Sequence, residues 1–369
     1  MYMFTYILLL IFTQVIAENC ITPNNETAQC ISLFQCPVIL NAVQKQEPGA
    51  SEFYGNSTCG GTVVNPMVCC GTSATFIKPK KIITTRKLAR YDRMCGFQHS
   101  DEYHHTTNET VLTEFPWFAK IKLKLRNPKN TTEADDASSS FRCSGVLIAL
   151  QYVVTSASCI TDKKYEPELV RLGEYSLLNS TDCMEDSNIY ECSSSVQDLG
   201  ISAVVPHPLY KKTELLFTMN DIGLIRLNKA ATVSDYVRPI CLPTLNIPKL
   251  VADDTLVTIK LPDDDSNIKP KLFRKYVSED KCRTFSQGIS EEFVHDGHLC
   301  AAALDGTGSF CDGNNRGSPV MAARKSRGNL KWYVVGVVAG KYANCLLDEV
   351  NIYTKVAYYL EWIEDSLQL

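Results

Sequence analysis

The sequence predicts an all-β domain that follows a small disulfide-rich module. This prediction rests on the crowding of 16 cysteines in a chain of 369 residues, on short apolar runs separated by polar turns, and on one amphipathic pattern at the C-terminal end. The runs "SGVLIAL", "YVVTSA", "DIGLIRL" and "WYVVGVVAG" have the length and the β-branched content of strands. In "KVAYYLEWIEDSL", Val356, Leu360, Ile363 and Leu367 recur at helical spacing and give a helix one apolar face.

Residues 1–17, "MYMFTYILLLIFTQVIA", have the pattern of a signal peptide, because a short apolar run ends in the small residue Ala17. A membrane anchor is the alternative, but the run is short for a bilayer and no stop-transfer charges follow it. We therefore expect a secreted, extracellular and oxidised chain, in which cysteines pair as disulfides. The net charge of −4 does not indicate nucleic-acid binding. The chain also has five N-glycosylation sequons, at Asn25, Asn56, Asn108, Asn130 and Asn179.

Six cysteines lie close together near the start of the chain. A segment of this length cannot build a self-sufficient core and needs cross-links, and six cysteines leave fifteen pairings open. The order of these cysteines, which ends in the adjacent pair Cys69-Cys70, resembles the clip domain of arthropod extracellular proteases. The resemblance implies a clip domain over residues 18–72 with the pairs Cys20–Cys69, Cys30–Cys59 and Cys36–Cys70.

Residues 73–94 contain no cysteine and many lysines and arginines. We interpret them as a solvated basic linker. Such a segment is also a site for a trypsin-like processing enzyme, and a polyanion-binding patch is a weaker alternative.

Residues 95–369 resemble the trypsin-like serine protease family, because "EFPWFAKIKL", "VVTSASC", "NDIGLIRL", "RPICLP", "CDGNNRGSPV" and "YTKVAYYLEWI" follow one another in the order of its motifs. The resemblance implies two antiparallel six-stranded β-barrels, a C-terminal helix and a catalytic cleft between the barrels. It also implies the disulfides Cys95–Cys241, Cys143–Cys159, Cys183–Cys192, Cys282–Cys300 and Cys311–Cys345.

The catalytic residues of this family are a serine, a histidine and an aspartate. In "VVTSASC", Ser158 stands where the family has its histidine, and a hydroxyl cannot act as a general base near pH 7. Asp221 of "NDIGLIRL" matches the carboxylate. Without an imidazole to orient, we expect Asp221 to accept hydrogen bonds from the backbone or from Ser158.

The nucleophile loop of the family reads C-x-G-D-S-G-G-P, whereas this chain has one residue more between Cys311 and Pro319. Counting forward from Cys311 puts Asn315 at the nucleophile position, and counting back from Pro319 puts Arg316 there. Ser318 is displaced toward the proline, and near-attack geometry does not tolerate such a shift. We expect residues 314–316 to form an exposed polar patch that fills the former substrate cleft.

Two further motifs depart from the family. No lysine or arginine lies between Cys95 and Trp117, where activation cleavage would occur. The substrate-binding S-W-G reads Ala339-Gly340-Lys341, and Ser309 stands at the base of the specificity pocket. The degenerate triad positions Ser158, Asp221 and Asn315 therefore predict a pseudo-protease without catalytic residues.

The resemblance implies a secreted, non-catalytic cofactor or regulator of an extracellular proteolytic cascade, in innate immunity, melanisation or Toll-type signalling. Its expected partners are clip proteases or prophenoloxidase. Two alternatives remain, an active serine endopeptidase of atypical mechanism and an adhesion or matrix protein that uses the fold as a scaffold. No cofactor is expected, apart from calcium at Glu174, where some family members bind it; the alternative is a surface carboxylate.

Overall fold

A computed structural model describes residues 19–45, 49–62, 64–74, 94–99, 110–127, 140–177, 179, 181–186, 189–210, 219–243, 249–259, 269–286, 296–304, 315–326, 329–339 and 350–368. The chain divides between residues 81 and 82 into two compact units. The predicted signal peptide and nearly all of the predicted linker lie outside the described residues. Within the described ranges, no helix is long and apolar enough to cross a membrane.

The first unit contains a four-stranded antiparallel sheet and two helices. Its strands are β1 (Asn19–Ile21), β2 (Thr27–Ser32), β3 (Thr58–Gly61) and β4 (Pro66–Cys70), in the order β1-β2-β4-β3. Helices α1 (Pro37–Gln44) and α2 (Ala50–Ser57) lie between β2 and β3. Ile39, Phe53 and Val68 form a core too small to stabilise the unit alone, which is why its three disulfides matter.

The second unit begins with a closed six-stranded antiparallel barrel. Its strands are β5 (Phe118–Leu125), β6 (Ser140–Ala149), β7 (Tyr152–Thr155), β8 (Tyr165–Leu172), β11 (Gln197–Pro206) and β12 (Gly223–Leu227), in the order β11-β12-β7-β6-β5-β8. The hairpin of β9 (Cys183–Asp186) and β10 (Ile189–Cys192) and the short helix α3 (Ala157–Ile160) interrupt this order. Register shifts in β5, β6 and β11 bend the strands enough for the sheet to close.

A second closed barrel follows, with strands β13 (Thr255–Ile259), β14 (Lys271–Val277), β15 (His298–Ala303), β16 (Pro319–Ser326), β17 (Asn329–Val337) and β18 (Val350–Lys355) in the order β13-β14-β15-β18-β17-β16. Helix α4 (Glu279–Ser286) connects β14 to β15. The predicted pair of six-stranded antiparallel barrels is confirmed.

The predicted C-terminal helix is present as a 3-10 turn (Val356–Tyr359) that continues into α5 (Leu360–Ser366). Its four predicted apolar residues are all buried, in the large core that spans both barrels. Between the barrels, the indole of Trp117 donates to the sulfur of Met321 at 3.0 Å and lies beside the rings of Phe115 and Trp332.

Seven disulfides are present among the described residues, and each has the pairing that the resemblance implied. They are Cys20–Cys69, Cys30–Cys59, Cys36–Cys70, Cys95–Cys241, Cys143–Cys159, Cys183–Cys192 and Cys282–Cys300. The expected pair Cys311–Cys345 lies outside the described residues. This many disulfides fits an oxidising, extracellular compartment.

Candidate functional site

The cleft residues come from both barrels. Ser158 lies in α3, directly after β7 of the first barrel, and Asp221 lies in the turn before β12. The backbone N–H of Ser158 donates to Oδ1 of Asp221 at 2.7 Å, and the Ser158 hydroxyl donates to the hydroxyl of Ser156 at 3.1 Å. The fully buried Asp221 carboxylate thus accepts a backbone hydrogen bond from the residue that replaces histidine, one of the two arrangements expected from the sequence.

Asp221 is held in place by the backbone on either side of it. Asn220 adopts a left-handed conformation, with φ of 56°, which asparagine tolerates better than most residues. The Asn220 side chain donates to the carbonyl of Leu209 at 3.2 Å and accepts from the hydroxyl of Tyr359 at 3.1 Å. The hydroxyl of Thr354, from β18, donates to the carbonyl of Asp221 at 3.0 Å. The backbone of residues 220 and 221 is therefore held by contacts from both barrels.

The side chain that extends to Ser158 belongs to Arg316. Its Nη1 donates to the carbonyl of Ser158 at 3.1 Å and lies 3.5 Å from Oδ2 of Asp162. Asn315 is only 1% exposed, and the Arg316 side chain is 21% exposed. The expected exposure is therefore wrong for Asn315 and Arg316, because the loop packs against the first barrel. Asn314 lies outside the described residues.

Ionisable groups around Arg316 respond to its charge and to burial. Burial alone would raise the pKa of Asp162, but the N–H groups of Lys164 and Tyr165 and the charge of Arg316 outweigh it and lower that pKa. Burial, and then the charge of Asp221, raise the pKa of the Tyr210 hydroxyl well above its usual value. Both residues therefore keep their ordinary neutral-pH forms, a carboxylate at Asp162 and a protonated phenol at Tyr210.

The Arg316 loop is anchored to the first barrel through Ser144 of β6. The N–H of Ser144 donates to the carbonyl of Arg316 at 2.9 Å, and its hydroxyl shares a 2.9 Å hydrogen bond with that of Ser318. Gly317 has φ of +85° and approaches so closely that an added Cβ would lie 2.0 Å from the carbonyl oxygen of Ser144. Ser318, the displaced serine, is fully buried.

The chemistry available to this arrangement follows from its functional groups. Ser158 offers a hydroxyl, and Arg316 offers a guanidinium that stays protonated in proteins and cannot accept a proton. His207 is the histidine nearest to Asp221 in the sequence. Its ring lies edge-on to the rings of Tyr359 and Trp362, at 5.1 and 5.0 Å between centroids. Ser158 and Arg316 can thus bind anionic or carbonyl groups, and neither side chain is an imidazole.

Other predicted site positions are described only in part. Ala339 is buried two residues after the end of β17, whereas Ser309, Gly340 and Lys341 lie outside the described residues. Among the sequons, Asn25 and Asn179 are exposed, while Asn108 and Asn130 are not described. Asn56 lies in α2 with its Nδ2, the atom that a glycan would occupy, buried. That burial argues against the predicted glycosylation at Asn56.

The calcium expectation at Glu174 can be tested against its surroundings. Glu174 is 5% exposed and its Oε2 accepts from Arg171 at 3.1 Å, so the alternative reading as a surface carboxylate is wrong. Among the described residues, no group of three or more histidines, cysteines, aspartates or glutamates could hold a metal ion. The residues present therefore do not fit a calcium site, which normally takes six to eight oxygen ligands.

The sequence did not indicate the role of two residues, Asp162 beside Arg316 and Lys120 near Glu174. Asp162 lies four residues after Ser158 in "SASCITD", but nothing in that spacing indicates a contact with Arg316. Lys120 alternates with Lys122 and Lys124 in "FAKIKLKL", a pattern that is typical of a solvent-facing edge, yet Lys120 is fully buried.

Two six-stranded barrels that bring Ser158, Asp221 and Arg316 into one cleft define the fold of the trypsin-like serine proteases. Residues 106–363 match the trypsin family, and residues 20–70 match the regulatory CLIP domain of proteinases. The chain therefore belongs to the trypsin-like serine protease family, in its clip-domain branch.

Curated relatives cover nearly the whole chain. Phenoloxidase-activating factor 3 of Holotrichia diomphalia is 31% identical over 359 residues, which cover 95% of this chain and 94% of that protein. Serine protease ea of Drosophila melanogaster is 28% identical over 375 residues, which cover 95% and 91%. The crystal structure of the Drosophila Grass clip serine protease of the Toll pathway has a TM-score of 0.57 at 22% identity, covers 95% of this chain and 97% of that one, and supports the fold.

Proposed function

We propose that this chain is a secreted, non-catalytic serine protease homologue that acts as a cofactor or regulator in an extracellular proteolytic cascade. The observation that supports this most directly is the pairing at the former catalytic centre. Ser158 stands at the histidine position with its N–H on Asp221, and the guanidinium of Arg316 donates to the Ser158 carbonyl.

Acyl transfer requires a base that removes the proton from the nucleophile and returns it to the leaving group. Ser158 cannot do this near neutral pH, and Arg316 has no lone pair to accept a proton. Loss of the serine or the histidine alone typically lowers kcat by about 10⁶-fold in this chemistry. The Arg316 contacts also occupy space beside Ser158 with a charged group that is bound to the protein itself.

The cascade role rests on similarity. Relatives that cover nearly the whole chain are named phenoloxidase-activating factors, and the solved clip protease belongs to the Toll pathway. A rigid two-barrel scaffold whose loops do not serve catalysis can bind protein partners instead. We therefore propose clip proteases or prophenoloxidase as partners, in melanisation or Toll-type signalling.

An active protease of atypical mechanism would need an accessible nucleophile, and Ser318 is the candidate that its loop offers. Its hydroxyl is buried and shares its hydrogen bond with Ser144. A fluorophosphonate probe, added after limited trypsin treatment, tests this directly. An active trypsin-type protease is labelled in parallel as the positive control, and Ser318→Ala is the matched variant. We expect no labelling of the native chain or of Ser318→Ala. Covalent modification of Ser318 or of any other serine of this domain would contradict the non-catalytic proposal.

The regulatory role is tested by reconstitution. An active clip protease and prophenoloxidase are combined with and without the purified chain, and phenoloxidase activity is measured. We expect the native chain to change the activity and the heat-unfolded chain to leave it unchanged. If the native chain has no effect and captures neither protein in a pull-down from haemolymph, the cascade role is wrong, and binding to cell or microbial surfaces then supports the adhesion alternative.

A further inference from the structure

Two buried carboxylates lie at either end of the loop between β8 and β9. Glu174 is 5% exposed and Asp182 is 4% exposed. One oxygen of each is bonded by the protein, since Glu174 Oε2 accepts from Arg171 at 3.1 Å and Asp182 Oδ2 accepts from the N–H groups of Tyr175 and Ser176 at 3.1 and 3.0 Å. The other oxygens, Glu174 Oε1 and Asp182 Oδ1, are buried without a hydrogen-bond partner among the described residues.

A buried ammonium lies on the neighbouring strand, because Lys120 of β5 is paired in register with Arg171 of β8, three residues before Glu174. Lys120 extends from β5, is fully buried, and its Nζ also has no hydrogen-bond partner in the described part of the chain. Burial and the charge of Lys269 lower the pKa of Lys120 to about 7, while the charges of Glu174 and Asp182 act in the opposite direction. The charges of these two buried carboxylates therefore act on the buried ammonium of Lys120, although no hydrogen bond joins them among the described residues.

Other cations surround the same carboxylates. The ammonium of Lys269, 5.5 Å from the ring centroid of Tyr175, interacts with both Glu174 and Asp182. Arg171 is already bonded to Glu174 and forms a two-bond ion pair with Asp198 at 2.7 and 2.8 Å. Among the described residues, these surroundings offer a divalent cation two carboxylate oxygens without a hydrogen-bond partner, and they contain three positively charged side chains. A calcium ion normally binds six to eight oxygens.

We propose that the ammonium of Lys120 supplies the positive charge that compensates the buried carboxylates of Glu174 and Asp182, so that this loop needs no metal. The loop also contacts the segment before β5, because the hydroxyl of Tyr175 donates to the carbonyl of Thr110 at 2.6 Å. Below about pH 7, where Lys120 is protonated, the loop and the segment before β5 therefore carry their own cation and do not depend on calcium.

The test compares calcium responses of the native chain and of Lys120→Met, which keeps the length of the side chain and removes its charge. Thermal unfolding is followed with EDTA and with about 1–10 mM Ca²⁺, a range that covers weak extracellular calcium sites, at about pH 6, below the Lys120 pKa of about 7. We expect no shift of Tm for the native chain and a rise of about 2–4 °C for Lys120→Met, since bound ligand stabilises the folded state.

Two variants control for unspecific effects. Lys124→Met removes a half-exposed lysine of the same strand and should respond to calcium as the native chain does. Adding Glu174→Gln to Lys120→Met should abolish the calcium response. Luminescence of Tb³⁺, sensitised by the neighbouring Tyr175, should rise only for the Lys120→Met chain.

Either of two results overturns the proposal. A calcium-dependent Tm in the native chain that EDTA abolishes would place a metal at this loop. Absence of both the Tm shift and the Tb³⁺ signal in Lys120→Met would mean that Lys120 does not occupy a cation position.

Discussion

Replacing Gly317 with alanine tests whether the Arg316 loop is held against the first barrel as the geometry requires. The new Cβ would lie 2.0 Å from the carbonyl oxygen of Ser144 and 2.2 Å from Oγ1 of Thr155. Thr155 Oγ1 already donates to that carbonyl at 2.7 Å, so the backbone of β6 or the loop must move. Movement of the loop would also break the bond from the Gly317 N–H to the carbonyl of Val338, which is 2.9 Å long.

The magnitude follows from two separate costs. A residue with a Cβ at φ of +85° costs about 1–2 kcal/mol, and forcing a methyl group into a packed site costs about 1–3 kcal/mol. We therefore expect Gly317→Ala to lower the free energy of unfolding by about 2–5 kcal/mol. For a unit of this size, Tm should fall by about 5–15 °C.

Urea unfolding followed by tryptophan fluorescence measures this cost, because all three tryptophans, at positions 117, 332 and 362, belong to the second unit. Gly200→Ala is the matched control, since its Cβ would meet only the flexible amide of Asn228, at 2.7 Å. The control should cost less than about 1 kcal/mol. Equal effects of the two variants would refute the packing of residues 315–318 against β6.

Three further predictions concern charge and glycosylation. Arg316→Met should lower the free energy of unfolding in urea by about 1–2 kcal/mol, because the carbonyl of Ser158 loses the hydrogen bond from the half-buried guanidinium. No change in this free energy would contradict the contact. The lowered pKa of Lys120, about 7, means that the unfolded chain binds more protons than the folded chain from about pH 7 to 10, so stability should rise with pH in this window, and less so in Lys120→Met. Mass spectrometry after expression in insect cells should find glycans at the exposed Asn25 and Asn179 but not at Asn56, whose Nδ2 is buried; a fully occupied Asn56 would count against the described packing of α2.

Much of the fold could be read from the sequence because its signals are local or recur in a fixed order. Alternating apolar runs gave the strands, and Val356, Leu360, Ile363 and Leu367 gave the C-terminal helix with the correct buried face. The two-barrel arrangement and the disulfide pairings came from resemblance alone, since fifteen pairings of the first six cysteines were open. Hydrophobic pattern alone cannot state which strands close a barrel.

At the cleft, the substitutions at Ser158 and near Pro319 were visible in the sequence, but their consequences were not. Counting residues left Asn315 and Arg316 as equal candidates for the nucleophile position. Only the packing of the loop against Ser144 made Arg316 the residue whose side chain approaches Ser158, while Asn315 is buried.

The sequence by itself predicted a cysteine framework, strand-forming runs, and a family motif in which Ser158 stands at the histidine position and Asn315 or Arg316 at the serine position. The tertiary structure decided where charge lies. Arg316 and Asp162 are far apart in sequence, and so is Lys120 from Glu174 and Asp182, and no local pattern links them. Burial makes these groups interact strongly, because their electrostatic interactions depend on the distance and solvent exclusion that only the folded chain creates.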